Sequence, residues 1–331
     1  MMATNNHKHW NYKIANLRAI AILSVVIGHS IIIYSSEWNL ILTSVECPLF
    51  DNLKHIINLY QMPLYFFISG YLMYGTLQKN FSFKQLFYDK VNRLIIPYFC
   101  VGLLWMIPIK TLIHISDFNI NQLFIQIINF IVGVGNGHLW FLYSLFTIFL
   151  FFYIANRASS YIYIYLWKKT NNLNVVKLSK YVGRCVMILF FLGLFVISNY
   201  VPNYFGIVNT MYFIIWFYLG LLIRSTDTKF FLSLITLLVL LIVSVLPNVV
   251  YGLAIVLTLY CIVPNKENKV MSFIDKYSYG IYLFHSPLIY IAFTYAPNID
   301  PLKMFFINFF LMGGVALLLS YIVKSRNIIK I

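Results

Sequence analysis

Apolar residues in this chain fall in long blocks, and short polar stretches between the blocks carry most of the charge. About 20 consecutive apolar residues in a helix cross the hydrocarbon core of a bilayer. Ten blocks approach that length, at 14–34, 56–76, 94–115, 139–166, 184–201, 208–224, 229–246, 248–264, 278–296 and 303–323. The run at 120–134 is too short to span and predicts a re-entrant or interfacial helix. The pattern thus predicts an all-α, polytopic membrane bundle of about ten transmembrane helices. It forms one transmembrane domain over 1–331, with a short leading segment at 1–13 and a tail at 324–331.

Composition sharpens this reading. Of 331 residues, 61% are hydrophobic, 19% aromatic and only 10% charged, against about a quarter charged in a soluble domain. The first apolar block follows basic residues but lacks a small-residue cleavage site, so it reads as an uncleaved first span. The four cysteines, Cys47, Cys100, Cys185 and Cys261, show no metal-ligand spacing, and Cys47 alone falls in an outer loop.

The net charge of +15 raises the possibility of nucleic-acid binding. The basic residues are dispersed between apolar blocks, however, and form no basic domain. With ten spans and a cytoplasmic N-terminus, 21 of the 24 Lys and Arg fall in inner segments, leaving Lys54, Lys110 and Lys303 outside. That asymmetry follows the positive-inside rule and places both termini in the cytoplasm.

All nine acidic residues fall in predicted loops or at span ends, among them Asp89 and Asp275. An ion-coupled transporter usually buries a carboxylate inside a span, so this distribution counts against one. The ionisable groups left inside are Arg18, His29 and His285, with His138 at the outer end of its span. Arg18 and His29 are eleven residues apart, which at 100° per residue leaves them about 20° from one face and roughly 16 Å apart in rise. Arg18 alone reads equally as a snorkelling anchor, and His29 alone as a hydrogen-bonded packing residue. Together they put a permanent cation near the cytoplasm and a proton-transfer group past mid-membrane on one face.

The motifs around these residues resemble the membrane acyltransferase-3 superfamily, which includes sugar O-acetylases. "LRAIAILSVVIGH" matches its first-helix pattern of Arg, ten residues, then His, and "MPLYFFISGYL" (62–72) its apolar-Pro-aromatic-Ser-Gly pattern. "DKVNRLIIPY" sits in the loop before the third span. There the family usually has two basic residues three apart before a Pro; this chain has Lys90, Arg93 and Pro97, with Lys at the first position a departure. "GHLWFL" (137–142) and "SYGIYLFHSPL" (278–288) match two more patterns. The chain is most similar to compact members of the fucose 4-O-acetylase and exopolysaccharide O-acyltransferase type, without a fused extracytoplasmic domain.

The resemblance implies transfer of an acyl group, usually acetyl, from cytoplasmic acyl-CoA to a hydroxyl of a cell-envelope glycan or lipid-linked sugar in the inner or plasma membrane, without a metal. Arg18, Lys90 and Arg93 would form a basic funnel for the coenzyme A phosphates; plain positive-inside anchoring explains Lys90 and Arg93 as well. His29 would be general base or transient acyl carrier, and His285 would either reach the same cavity or hold helices together. Arg18, Ser69 or Tyr282 would stabilise an oxyanion. His138 and Trp140 would contact the acceptor, although an aromatic belt also accounts for Trp140. Ser69-Gly70 reads equally as close helix packing.

Three other function classes compete. A polysaccharide or lipid-linked glycan transporter without acyl transfer is the main alternative, but no inverted repeat with paired broken helices is visible. A glycan polymerase would present charges on a large outer loop, which is absent. A membrane scaffold explains the bulk of the chain but not the Arg18/His29 face.

Overall fold

The computed structural model describes residues 11–38, 40–79, 81–115, 118–225 and 247–326. Among them the chain is helical throughout and without strands. The helices are α1 (Tyr12–Ser30), α2 (Pro48–Leu77), α3 (Phe83–Leu112), α4 (Ile120–Ile131), α5 (Gly137–Thr170), α6 (Leu173–Tyr200), α7 (Ile207–Ser225), α8 (Pro247–Ile262), α9 (Lys269–Tyr295) and α10 (Pro301–Ser325). Six of these, α1, α3, α5, α6, α7 and α10, are long and apolar enough to cross a membrane. The protein is a polytopic helical membrane protein. Nine of the ten expected spans correspond to described helices; the expected span at 229–246 lies outside the described residues.

Several helices begin earlier than hydropathy predicts. α2, α3 and α9 start at 48, 83 and 269 rather than at 56, 94 and 278. The added turns are polar, so an apolar window cannot see them, but they carry good start signals. Pro48 opens α2, Ser82 and Gln85 form a reciprocal capping box ahead of α3, and Asn268 caps α9 through two backbone N–H groups. Each device satisfies backbone donors that a helix start leaves orphaned. "DKVNRLIIPY" is therefore part of α3 and not a loop.

α1 is the centre of the bundle. Its buried residues, from Ile14 through Ser30, cover nearly every face, as expected of a helix that is apolar all round. It packs between α2 and α9. α6, by contrast, exposes Leu178, Val182, Val186, Leu189, Phe190 and Ile197, the pattern of a lipid-facing helix.

Small residues set the closest crossings. A Cβ at Gly70 would lie 1.8 Å from the carbonyl oxygen of Phe217, and one at Gly220 would lie 1.9 Å from that of Phe67. Only a missing side chain on both helices permits α2 and α7 to approach this closely. Ser69-Gly70 thus sits at a packing contact.

Prolines reshape two helices at the site. In α3, π-helical turns at Val91–Ile95 and Gly102–Met106 each lead into a segment with Pro97 or Pro108 in its first turn. A proline lacks the N–H for the regular ladder and crowds the carbonyl four residues back, so the register shifts. Phe130 of α4 fills the notch at Gly102, stacked on Tyr98 at 4.4 Å. In α9, Pro287 leaves the Leu283 carbonyl without its helical donor.

Candidate active site

α1 and α9 run side by side in the same direction and are joined at two levels. At the end that the positive-inside rule places in the cytoplasm, Arg18 Nη2 donates to Asp275 Oδ2 at 3.0 Å and Nε stands 2.8 Å from Oδ1. Asp275 is buried, with 3% of its side chain exposed, whereas Arg18 keeps 36%. Hydropathy puts Asp275 at a span end; α9 starts early enough to carry it nearly two turns in, against Arg18. Pairing offsets the cost of burying each charge.

At the second level, ten residues further along α9 and eleven along α1, His285 meets His29. His285 Nε2 lies 3.1 Å from His29 Nδ1, and the rings are 4.9 Å apart. At about 1.5 Å per residue the two levels are separated by roughly 15–16 Å. The face that Arg18 and His29 share in the sequence is the face α1 turns to α9.

The partners assign the tautomers. His285 is fully buried, and its Nδ1 lies 3.0 Å from the Ile281 carbonyl and 2.9 Å from that of Tyr282. A carbonyl only accepts, so Nδ1 carries the proton. In the neutral ring His285 Nε2 is then an acceptor, and His29 Nδ1 must donate to it. That leaves the lone pair of His29 on Nε2, which has no hydrogen-bond partner among the described residues. His29 is only partly buried. The arrangement is that of a base oriented by a second residue.

A third imidazole completes the cluster. His138, at the start of α5, is 7% exposed and its ring lies 5.3 Å from that of His285. Its Nε2 donates at 3.1 Å to the Leu283 carbonyl, the group that Pro287 left free. The Tyr282 hydroxyl in turn donates to the His138 carbonyl. His138 is clamped at both ends, and its buried Nδ1 has no hydrogen-bond partner among the described residues. Tyr282 therefore holds His138, and its backbone carbonyl orients His285. Trp140 stacks on Phe213 at 5.1 Å and on Phe66 at 6.3 Å. Ser69 makes no hydrogen bond to this cluster among the described residues.

The inner basic residues are held in two ways. Lys90 is largely buried, with Nζ 3.9 Å over the Phe149 ring and 3.6 Å from Asp89. Arg93 is exposed and pairs with Asp89 at 3.0 Å. Its carbonyl, in the π-helical turn of α3, accepts from the Tyr279 hydroxyl one turn beyond Asp275. Arg93 and Arg18 thus border the same end of α9. Tyr65 of α2 has a buried hydroxyl without a hydrogen-bond partner there.

Lys54 and Lys110 were expected in outer segments, yet both lie within helices and are buried. No local pattern around either lysine signals this burial. Asp275 had a faint signal: it precedes His285 by ten residues, much as Arg18 precedes His29. Among the described residues, no group of His, Cys, Asp or Glu is placed to hold a metal ion, and all four cysteines are free thiols.

A family model described as an acyltransferase domain, the acyltransferase-3 type, matches residues 11–324. The chain belongs to the acyltransferase-3 family. It is a membrane acyltransferase, and the matched region takes in both levels of the α1–α9 contact and His138. No curated protein and no solved structure matches the chain.

Proposed function

We propose that this acyltransferase moves an acyl group, acetyl by the family resemblance, from cytoplasmic acyl-CoA to a hydroxyl of a cell-envelope glycan or lipid-linked sugar, in the inner or plasma membrane. The observation that carries the reading is the lone pair on His29 Nε2, held in place by His285 about three turns along α1 from Arg18.

In the reaction Nε2 takes the proton of the acceptor hydroxyl while that oxygen attacks the thioester carbonyl, and the tetrahedral oxyanion collapses to expel the coenzyme A thiolate. Alternatively, Nε2 attacks the thioester first and expels the coenzyme A thiolate, and the acceptor hydroxyl then takes the acyl group from the acyl-imidazole, its proton passing to the released imidazole. Both courses need the same unprotonated nitrogen. A positioned base contributes about 10²–10⁴-fold. At the inner mouth, Lys90 and Arg93 supply positive charge for the donor phosphates, and Arg18, anchored by Asp275, adds a third cation.

Membranes containing the protein, given acetyl-CoA labelled in the acetyl group, are expected to pass label to the glycan fraction and release free coenzyme A. Label arriving first on the protein, when acceptor is withheld, selects the acyl-imidazole course. Transport of glycan with no acyl transfer from acetyl- or succinyl-CoA would overturn the proposal.

A further inference from the structure

Three of the 24 Lys and Arg fall on the outer side by the positive-inside count, and two of them are buried beside the histidine cluster. Lys54 is 3% exposed and Lys110 is 4% exposed. Their placement is parallel. The Lys54 ammonium lies 3.3 Å from where a Cβ on Gly28 would stand, and the Lys110 ammonium lies 3.3 Å from where one on Gly137 would stand. Those glycines immediately precede His29 and His138. Each Gly-His pair therefore offers a bare backbone to a buried ammonium on one side and an imidazole to the cluster on the other. Gly137 also has φ +52, which a side chain adopts only with strain.

Neither lysine has a carboxylate within ion-pair distance among the described residues. Glu37 is engaged by Asn58 Nδ2 at 3.3 Å and faces His55 at 3.8 Å. Lys110 lies over the rings of Phe118 and Tyr290, at 4.7 Å and 5.6 Å. Beside Tyr290 the indole of Trp38, at 5.9 Å, has a buried N–H with no acceptor among the described residues. Burying an ammonium without an anion is costly, and orientation in the membrane does not explain cations on this side.

We propose that Lys54 and Lys110 form a two-point clamp for an oxyanion group carried by the acceptor, holding a hydroxyl of that acceptor at His29. The shared chemistry is a phosphate or carboxylate. It comes either from the phosphate linking a sugar to its lipid carrier or from the carboxylate of an acidic sugar. This rests on the proposed glycan acceptor and names its class: the group acylated lies near a negative charge.

The test uses the full-length protein in detergent with saturating coenzyme A, so that the inner basic residues are already occupied. Thermal unfolding is followed with inorganic pyrophosphate in one arm and sodium glucuronate in the other, at millimolar concentrations. One of the two anions is expected to raise the melting temperature of the wild type, and which one identifies the source. The rise is lost in the Lys54→Gln/Lys110→Gln double variant and retained in the Lys54→Arg/Lys110→Arg variant. Without anion the Gln variants melt no lower than wild type, because they shed an uncompensated buried charge. In turnover, each Gln substitution raises the acceptor KM about tenfold, the scale of one lost charged hydrogen bond. No stabilisation of the wild type by either anion, or a rise that survives the double Gln variant, overturns the clamp. So does a fall in kcat at unchanged acceptor KM. Failure of the acyltransferase reading shows separately, as absent acyl transfer with anion binding intact.

Discussion

His285 touches neither donor nor acceptor in this account; it acts through His29, and its substitution has a calculable cost. His285→Ala removes the acceptor of the His29 Nδ1–H bond, 3.1 Å long. A neutral bond of this kind contributes about 1 kcal/mol net, and 1.36 kcal/mol is a factor of ten in rate, so losing the tautomer bias alone costs roughly fivefold. The substitution also empties a fully buried position whose ring lies 4.9 Å from His29 and 5.3 Å from His138. Both imidazoles are then free to shift, and a displacement of about 1 Å in a catalytic group costs on the order of 10²-fold. The expected result is a kcat reduced about 10²-fold with the KM for acyl-CoA unchanged, measured as acyl transfer by purified protein of matched thermal stability. His285→Gln, whose amide oxygen can accept from His29, recovers most of that loss. A His285→Ala enzyme with wild-type kcat, or with a raised KM at constant kcat, refutes the orienting role.

Other substitutions test the supports of the site. Asp275→Ala leaves Arg18 unpaired; a fully buried pair would cost ~3–5 kcal/mol to break, and because Arg18 keeps 36% exposure the expected loss is about 2 kcal/mol. Thermal unfolding should show the Arg18→Ala/Asp275→Ala double variant less destabilised than the two single losses added together. Gly70→Ala forces a Cβ to within 1.8 Å of the Phe217 carbonyl oxygen, so α2 and α7 must part, lowering stability by ~1–3 kcal/mol; an unchanged melting temperature would show that the crossing is looser. Pro287→Ala restores an N–H donor to the Leu283 carbonyl, which then competes with His138. Activity should fall severalfold while stability holds, and equal activity would show that the His138 bond is dispensable.

The architecture was largely legible because apolar length is a direct physical requirement of crossing a bilayer. The Arg18/His29 face was legible for a similar reason, since helical phase is fixed by sequence separation alone. What hydropathy could not show is where a helix continues beyond its apolar block. That hid Asp275, carried on the polar first turns of α9, and placed Lys90 and Arg93 in a loop when they lie on α3. Partners across the bundle were equally invisible. Nothing local in the sequence says that Leu283 would receive His138, although Pro287 announces a carbonyl in need of a donor. Lys54 and Lys110 read as cations on the outer side because a charged residue near a span end is ordinarily solvated. Their burial follows from the glycines at 28 and 137, which lie on other helices.

Everything in the site converges on one nitrogen, His29 Nε2. The most direct measurement is therefore acylation of the envelope glycan in cells expressing either the wild type or His29→Ala at matched membrane levels. Loss of the base or carrier is predicted to reduce acylation at least 10²-fold, to the level of cells lacking the protein. Acylation at the wild-type level in the His29→Ala cells would contradict the account.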